Sequence, residues 1–185
     1  MLAIKLVPYQ SAFLEPFIEW RNQRLSVRHN PLKAMTNGEI AKMLESEGSD
    51  LADLKKHEGY RWFVFRKDEV VGTVSLKNIS HAMGYAEIGY GIAETHHNQG
   101  IATAAVRLLV KKVFSETGLR KLMAFVHDKN QPSRRVLEKL GFQQEGLLRE
   151  HYIINGHAEH EILYCLLKHD WQASGQQDVS WRSVQ

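Results

Sequence analysis

Only one of the 185 residues is cysteine and only four are proline. The lone Cys165 excludes an internal disulfide. It lies in the apolar run 162–167, where a small buried hydrophobe is a better reading than a nucleophile. No run of about eighteen apolar residues is present to cross a membrane as a helix. The first residues, MLAIKLVPYQ, lack the long apolar core of a secretory leader. A soluble, cytoplasmic protein with no membrane partner is therefore expected. No block of Lys or Arg concentrates the net charge of +3, so no nucleic-acid partner is expected, although an anionic ligand is tolerated. Internal repeats and low-complexity segments are also missing. Ten histidines invite a metal reading, but neither HExxH nor Cys-x-x-Cys occurs. His96 and His97 are adjacent, and His157 and His160 fall on opposite faces of a strand, so no metal site is expected.

What is present is an ordinary globular mixture, 43% hydrophobic and 24% charged. It suits one domain, residues 1–170, followed by a polar tail at 171–185. Alternation over 2–7 predicts a first strand ending at Pro8. Ser11 is placed to cap a helix running to Arg24, with Phe13, Phe17, Ile18 and Trp20 on its apolar side. Thr36 and Glu39 form a capping box for a helix to about Leu44. Residues 51–57 suit another helical turn or two. The period then changes, and 61–66 and 69–76 read as a hairpin, with 85–92 a further strand. A helix over 101–117, a strand over 121–126, a helix over 132–140 and a strand over 142–150 follow. Asn155-Gly156 is a hairpin turn into the last strand, 161–167. This order predicts a mixed α/β sheet on a single core.

The stretch ETHHNQGIATAAV, residues 94–106, carries most of the functional signal. The helix that begins at Ile101 has polar residues recurring every four positions at Thr103, Arg107, Lys111 and Ser115, a narrow stripe, and everything else near its start is apolar or small. It must lie deep against the sheet. Its first turn then has free N–H groups near a partly buried surface, and those favour an anion such as phosphate. Gly100 lets a ligand approach the backbone, or merely permits a tight turn. Gly89 and Gly91 interrupt the preceding strand, as glycines do where a strand bulges or something approaches it. No Gly-Lys-Ser/Thr follows, so this is not a Walker loop, and the further glycines of a dinucleotide fingerprint are missing.

HNQGIATAAV resembles the Q/R-x-x-G-x-G/A segment of the GNAT N-acetyltransferases, with His97 at the Gln/Arg position and Gly100 and Ala102 at the small positions. NQPSRRVLEKLGF, residues 130–142, resembles the second motif of that family. The text around them is similar to the RimJ/RimL branch, whose members acetylate protein N-termini, and to its small-amine relatives. The resemblance covers residues 62–171. It implies a seven-stranded, mostly antiparallel sheet with a splayed central strand pair and helices on both faces. It implies acetyl-CoA as co-substrate, held by Ile92, His97, Asn98, Gln99, Gly100, Ile101, Ala102, Thr103 and Asn130. The acceptor implied is a protein N-terminal amine, or alternatively a polyamine, amino sugar or antibiotic amine.

Acetyl transfer needs a neutral amine, a polarised carbonyl and a stabilised leaving thiolate. Glu87, on the strand beside the cleft amid Ala86, Ile88 and Tyr90, is the candidate base, acting through a water; otherwise it is a solvent-facing strand residue. In the family a glutamate on this strand accepts the proton in several branches. Ser133, at the N-x-x-S position, corresponds to the serine that protonates the thiolate; by position alone it is an ordinary first-turn residue after Pro132. In the RimL pattern an acidic residue shortly precedes the Asn-Gly turn, whereas the ungapped equivalent here is Tyr152, with Glu150 two residues earlier. Tyr152, Trp20 and Arg21 are the acceptor-site candidates, Trp20 also reading as core. The carbonyl-polarising donor is expected to be a backbone N–H near residues 90–92. Cys165 is poorly placed for an acetyl-enzyme, so direct attack in a ternary complex is expected from a monomer or homodimer. A catalytically silent acyl-CoA sensor is the alternative of a different class.

Overall fold

The computed structural model describes residues 3–176. Seven strands form one sheet in the order β1-β2-β3-β4-β5-β7-β6, where β1 is Ile4–Val7, β2 Tyr60–Arg66, β3 Glu69–Ser80, β4 Tyr85–Ile92, β5 Lys121–His127, β6 Gln143–Ile154 and β7 His157–Leu167. Every neighbouring pair is antiparallel except β4 with β5. Parallel neighbours need a crossover, which is supplied by helix α4, Ile101–Glu116. Helices α1, Leu14–Arg21, α2, Arg24–His29, and α3, Asn37–Ser46, lie between β1 and β2. Helix α5, Gln131–Lys139, joins β5 to β6, and α6, Lys168–Ala173, follows β7. No helix among the described residues is long and apolar enough to cross a membrane.

Period-two alternation divides the sheet between two cores. Trp62, Val64, Val74, Leu76, Ala86, Ile88, Leu122, Ala124 and Val126 point into the main core, where Ile101, Ala105, Val106, Leu109, Val110 and Val113 of α4 cover them. Phe63, between Trp62 and Val64, points the other way and meets Phe13, Phe17, Ile40 and Leu44 in a smaller cluster under α1 and α3. Helices therefore cover both faces, as the resemblance implies.

Several expectations about the elements are corrected. The helix predicted from Ser11 to Arg24 is a 3-10 turn at Ser11–Phe13, then α1, then α2 continuing to His29. Ser11 caps nothing, because the N-cap position falls on Gln10 and no side chain bonds there. Residues 51–57 form turns rather than helix. Strands β3 and β6 run on to Ser80 and Ile154, carried past the predicted ends by bulges, and β7 begins at His157. The Thr36–Glu39 capping box is present. The boundary drawn at 170 falls inside α6, whose Trp171 is 2% exposed and part of the main core. Residues 177–185 of the expected tail lie outside the described residues.

Candidate active site

Strands β4 and β5 pair only at Tyr85↔Lys121, Ala86↔Leu122 and Glu87↔Met123. Strand β4 continues to Ile92 still bonded to β3, and β5 continues to His127 still bonded to β7. From Ile88 onward the two strands part, so their facing edges carry peptide groups without a partner strand, and a slot opens in the middle of the sheet.

At the top of β4 the chain turns through a 3-10 segment, Glu94–His96, into α4. The His97 imidazole turns back to bond the Ile92 carbonyl at 2.8 Å, which closes this loop. Asn98 and Gly100 both take left-handed backbone, φ 59° and 75°. Asparagine tolerates that region and glycine has no Cβ to clash. Gly100 is the N-cap of α4, no side chain caps the helix, and no acidic residue stands in its first turn. A Cβ placed on Gly100 would meet nothing within 4 Å. The N–H groups of Ile101, Ala102 and Thr103 therefore open toward free space at the positive end of a sixteen-residue helix. Gln99 is engaged elsewhere, accepting from Arg66. Residues of this kind fit a diphosphate held by backbone.

Asn130 is the N-cap of α5, its Oδ1 accepting from the Ser133 N–H at 3.2 Å. The Ser133 hydroxyl lies 2.7 Å from the Tyr90 hydroxyl, and the Ser133 carbonyl accepts from Tyr90 at 3.0 Å. Burial pushes the Tyr90 phenol well above its ordinary range, with the Ser133 bond acting against it.

Glu87 points to the face opposite α4, since its neighbours Ala86 and Ile88 sit in the main core. It is 8% exposed, yet its surroundings are not the apolar pocket expected. Lys77, its register partner on β3, places Nζ 2.8 Å from one oxygen, and Asn78 donates to the other at 2.7 Å. The reason is register: a residue inward on one strand brings its cross-strand partner with it.

The same face carries residues the sequence reading did not single out. His127 ends β5 with its side chain 3% exposed. Its Nδ1 is 2.8 Å from Nδ1 of His29 on α2, so one of the two rings must donate and the other accept. Its Nε2 is 3.2 Å from Glu159 and 3.4 Å from Asp128. Glu159 also takes the Lys129 ammonium at 2.6 Å, which with His127 holds its carboxyl below the usual range. His127, Asp128 and Glu159 thus gather three possible cation ligands where spacing gave no sign of them. Glu161, the register partner of His127, has its pKa raised by burial, with the His151 ring at 2.7 Å acting against the shift. Tyr152 pairs with Glu159, its hydroxyl buried without a hydrogen-bond partner and its pKa raised by burial, then by Glu161. Counting back from the Asn155-Gly156 turn would have found the Tyr152–Glu159 pair. His29 and His127, 98 residues apart, offered no such signal.

Two further acceptor-site candidates stand on α1, which covers the sheet face that Phe63 and Glu87 share. Trp20 packs against the small cluster, because the apolar side of α1 is needed to cover Phe63. The Arg21 guanidinium donates to the Lys33 carbonyl. Cys165 is buried, and burial followed by Glu145 pushes its thiol up to about 11, which suits no nucleophile.

Residues 4–143 match the family model described as Acetyltransferase (GNAT) domain. The chain belongs to the GNAT acetyltransferase family. It is 42% identical over 123 residues to the probable N-acetyltransferase YjcK of Bacillus subtilis, covering 64% of this chain and 68% of that one. It is 34% identical over 129 residues to the spermidine N(1)-acetyltransferase of Escherichia coli, covering 69% of each. Mycobacterium smegmatis RimJ, solved with a CoA-disulfide, superimposes with a TM-score of 0.78 at 24% identity, covering 94% of this chain and 90% of that one. The GNAT fold implied by the two motifs is present.

Proposed function

We propose that this GNAT enzyme moves the acetyl group of acetyl-CoA to a protein N-terminal amine, by direct attack in a ternary complex. The observation that carries the reading is a juxtaposition. The uncapped N-terminus of α4, led by Gly100, stands directly beyond the end of β4, the strand that parts from β5 after Glu87. The first-turn N–H groups of residues 101–103 take the diphosphate, and the loop through His97, Asn98 and Gln99 shapes its edge. The His97–Ile92 bond holds that loop to the strand. The pantetheine lies in the slot along residues 88–92, where a free N–H of β4 polarises the thioester carbonyl. Asn130 acts by fixing the start of α5.

Glu87 lies at the point of parting, on the face the acceptor enters. Lys77 and Asn78 set the direction of its oxygens, and an ordered water carries the amine proton to it. An α-amine, with a pKa of about 8, yields that proton far more readily than an alkylamine at about 10.4. Ser133 supplies a proton to the leaving sulfur. Tyr152 borders the acceptor's approach from β6.

A polyamine is the second reading, favoured by one observation. Glu87, Glu159 and Glu161 share the acceptor face, and a spermidine acetyltransferase is among the relatives. Thiol release from acetyl-CoA, measured against N-terminal peptides, polyamines and amino sugars beside a coenzyme A titration, tests both. Release on peptides supports the first reading and release on polyamines alone supports the second. Binding without release on any amine makes the protein a sensor.

A further inference from the structure

Tyr90 stands three residues beyond the last β4–β5 pair, on the face covered by α4. Its hydroxyl does not stop at its own side of the slot. It reaches Ser133 on α5, the helix that follows β5, and so bridges the parting. Ser133 is thereby held at three atoms: its N–H by Asn130, and its carbonyl and hydroxyl by Tyr90.

A count of hydrogens shows what the bridge does. Tyr90 has one hydroxyl hydrogen, and the Ser133 carbonyl can only accept. With Tyr90 donating to that carbonyl, the serine hydroxyl donates to the Tyr90 oxygen at 2.7 Å and its proton is parked there. If Tyr90 instead turns its hydrogen onto the serine oxygen, the serine proton is free to point away. Two hydrogens turn and no heavy atom moves. Burial holds the Tyr90 proton in place across the working range, so the donor is always loaded.

We propose that Tyr90 is the positioning residue that aims the Ser133 proton at the departing sulfur. The proposal rests on the acetyl-transfer reading. In the step, the amine nitrogen bonds to the carbonyl carbon and the carbon–sulfur bond breaks. The sulfur takes the Ser133 proton, and the Tyr90 hydroxyl donates to the serine oxygen left behind. Glu87 takes the amine proton and gives it up to solvent, and solvent reprotonates the serine, so amine and acetyl-CoA yield amide and free thiol with nothing else consumed. Tyr90 stays protonated throughout.

The test compares acetyl-CoA with its selenium analogue, whose selenolate leaves without needing a proton. With acetyl-CoA, Tyr90→Phe and Ser133→Ala each lower kcat by about tenfold, the size of one lost hydrogen bond in the transition state, with the KM for the donor unchanged. The double variant is no slower than the slower single one, because Tyr90 acts only through Ser133. With the selenoester all three deficits shrink to about twofold or less, because the interaction they lack is no longer needed. Equal deficits with both donors, additive losses, or a Tyr90→Phe protein that no longer folds or binds coenzyme A would show a structural contact and overturn the proposal. A wild-type rate that Tyr90→Phe leaves untouched overturns it alone. A wild type that acetylates no amine overturns the enzyme reading and this proposal together.

Discussion

On the α4 and α5 face of the sheet, the groups offered to a ligand are mostly backbone. They are the N–H groups after Gly100 and the free edge of β4. On the opposite face they are side chains brought in from five strands and one helix: Lys77, Glu87, His127, Glu159, Glu161, Tyr152 and His29. The two faces suit different tasks. A diphosphate and an amide-bearing arm are the same in every reaction of this family, and backbone donors recognise them regardless of nearby side chains. An acceptor differs from one enzyme to the next, and only side chains vary with sequence. The contrast implies that substitutions divide cleanly between the faces.

The largest break is expected on the acceptor face. Glu87→Gln lowers kcat/KM for the amine by about a hundredfold, within the range of a lost general base. Coenzyme A affinity, measured by calorimetry, stays as in the wild type. Unchanged turnover would remove Glu87 from the mechanism.

On the other face, Gly100→Val puts a β-branched side chain at φ 75° and into the space before the first turn of α4. Coenzyme A then binds about tenfold more weakly. The kcat at saturating donor stays close to wild type, the reverse of the Glu87→Gln pattern. Equal damage to both parameters in both variants would erase the division.

Asn130→Ala separates capping from contact. Loss of the bond to the Ser133 N–H costs about 1 kcal/mol and lowers Tm by about 2–4 °C. A matching fall in coenzyme A affinity would show that Asn130 also touches the donor.

The smallest effect is one of pH. Burial raises the Glu161 pKa in the folded protein. The unfolded chain therefore gives up this proton at lower pH than the folded one, and ionisation favours unfolding. Stability from the protonated form is present below the ordinary carboxylate value and falls as pH rises through the folded value. Glu161→Gln removes that loss, so the variant melts about 2 °C above wild type at pH 7, and the gap closes below about pH 4. A gap that persists at low pH would point to packing instead.

The same contrast explains what could be read from sequence. The elements proposed to hold the donor were legible because their parts are contiguous. Residues 97–103 and 130–133 are short segments, each with a cap or turn that marks it. The hairpin after β6 was legible too, since Asn155 and Gly156 both adopt the positive φ their turn requires. On the opposite face Glu87 and Tyr152 could be named singly, but their partners were not legible, because that face is assembled by register. Bulges after Lys77 and Leu148 shift the pairing in ways that alternation alone does not show. His29 meets His127 only through the tertiary packing of α2 against the end of β5, and Glu87 gains Lys77 only through the β3–β4 ladder. The partners of Trp20 and Arg21 were hidden for the same reason. Their helix is amphipathic, but the sequence does not say which part of the sheet it covers. Trp171 looked like tail because one buried tryptophan in a polar segment leaves no periodicity to detect.

The central claim is that the opening amides of α4 and the parted edge of β4 hold the acetyl donor. Backbone amide resonances followed during a coenzyme A titration test it most directly. The account predicts that the largest shifts fall on residues 100–103 and 88–92, with α1 and α3 nearly still. Shifts centred on the acceptor face, or none at the start of α4, would contradict it.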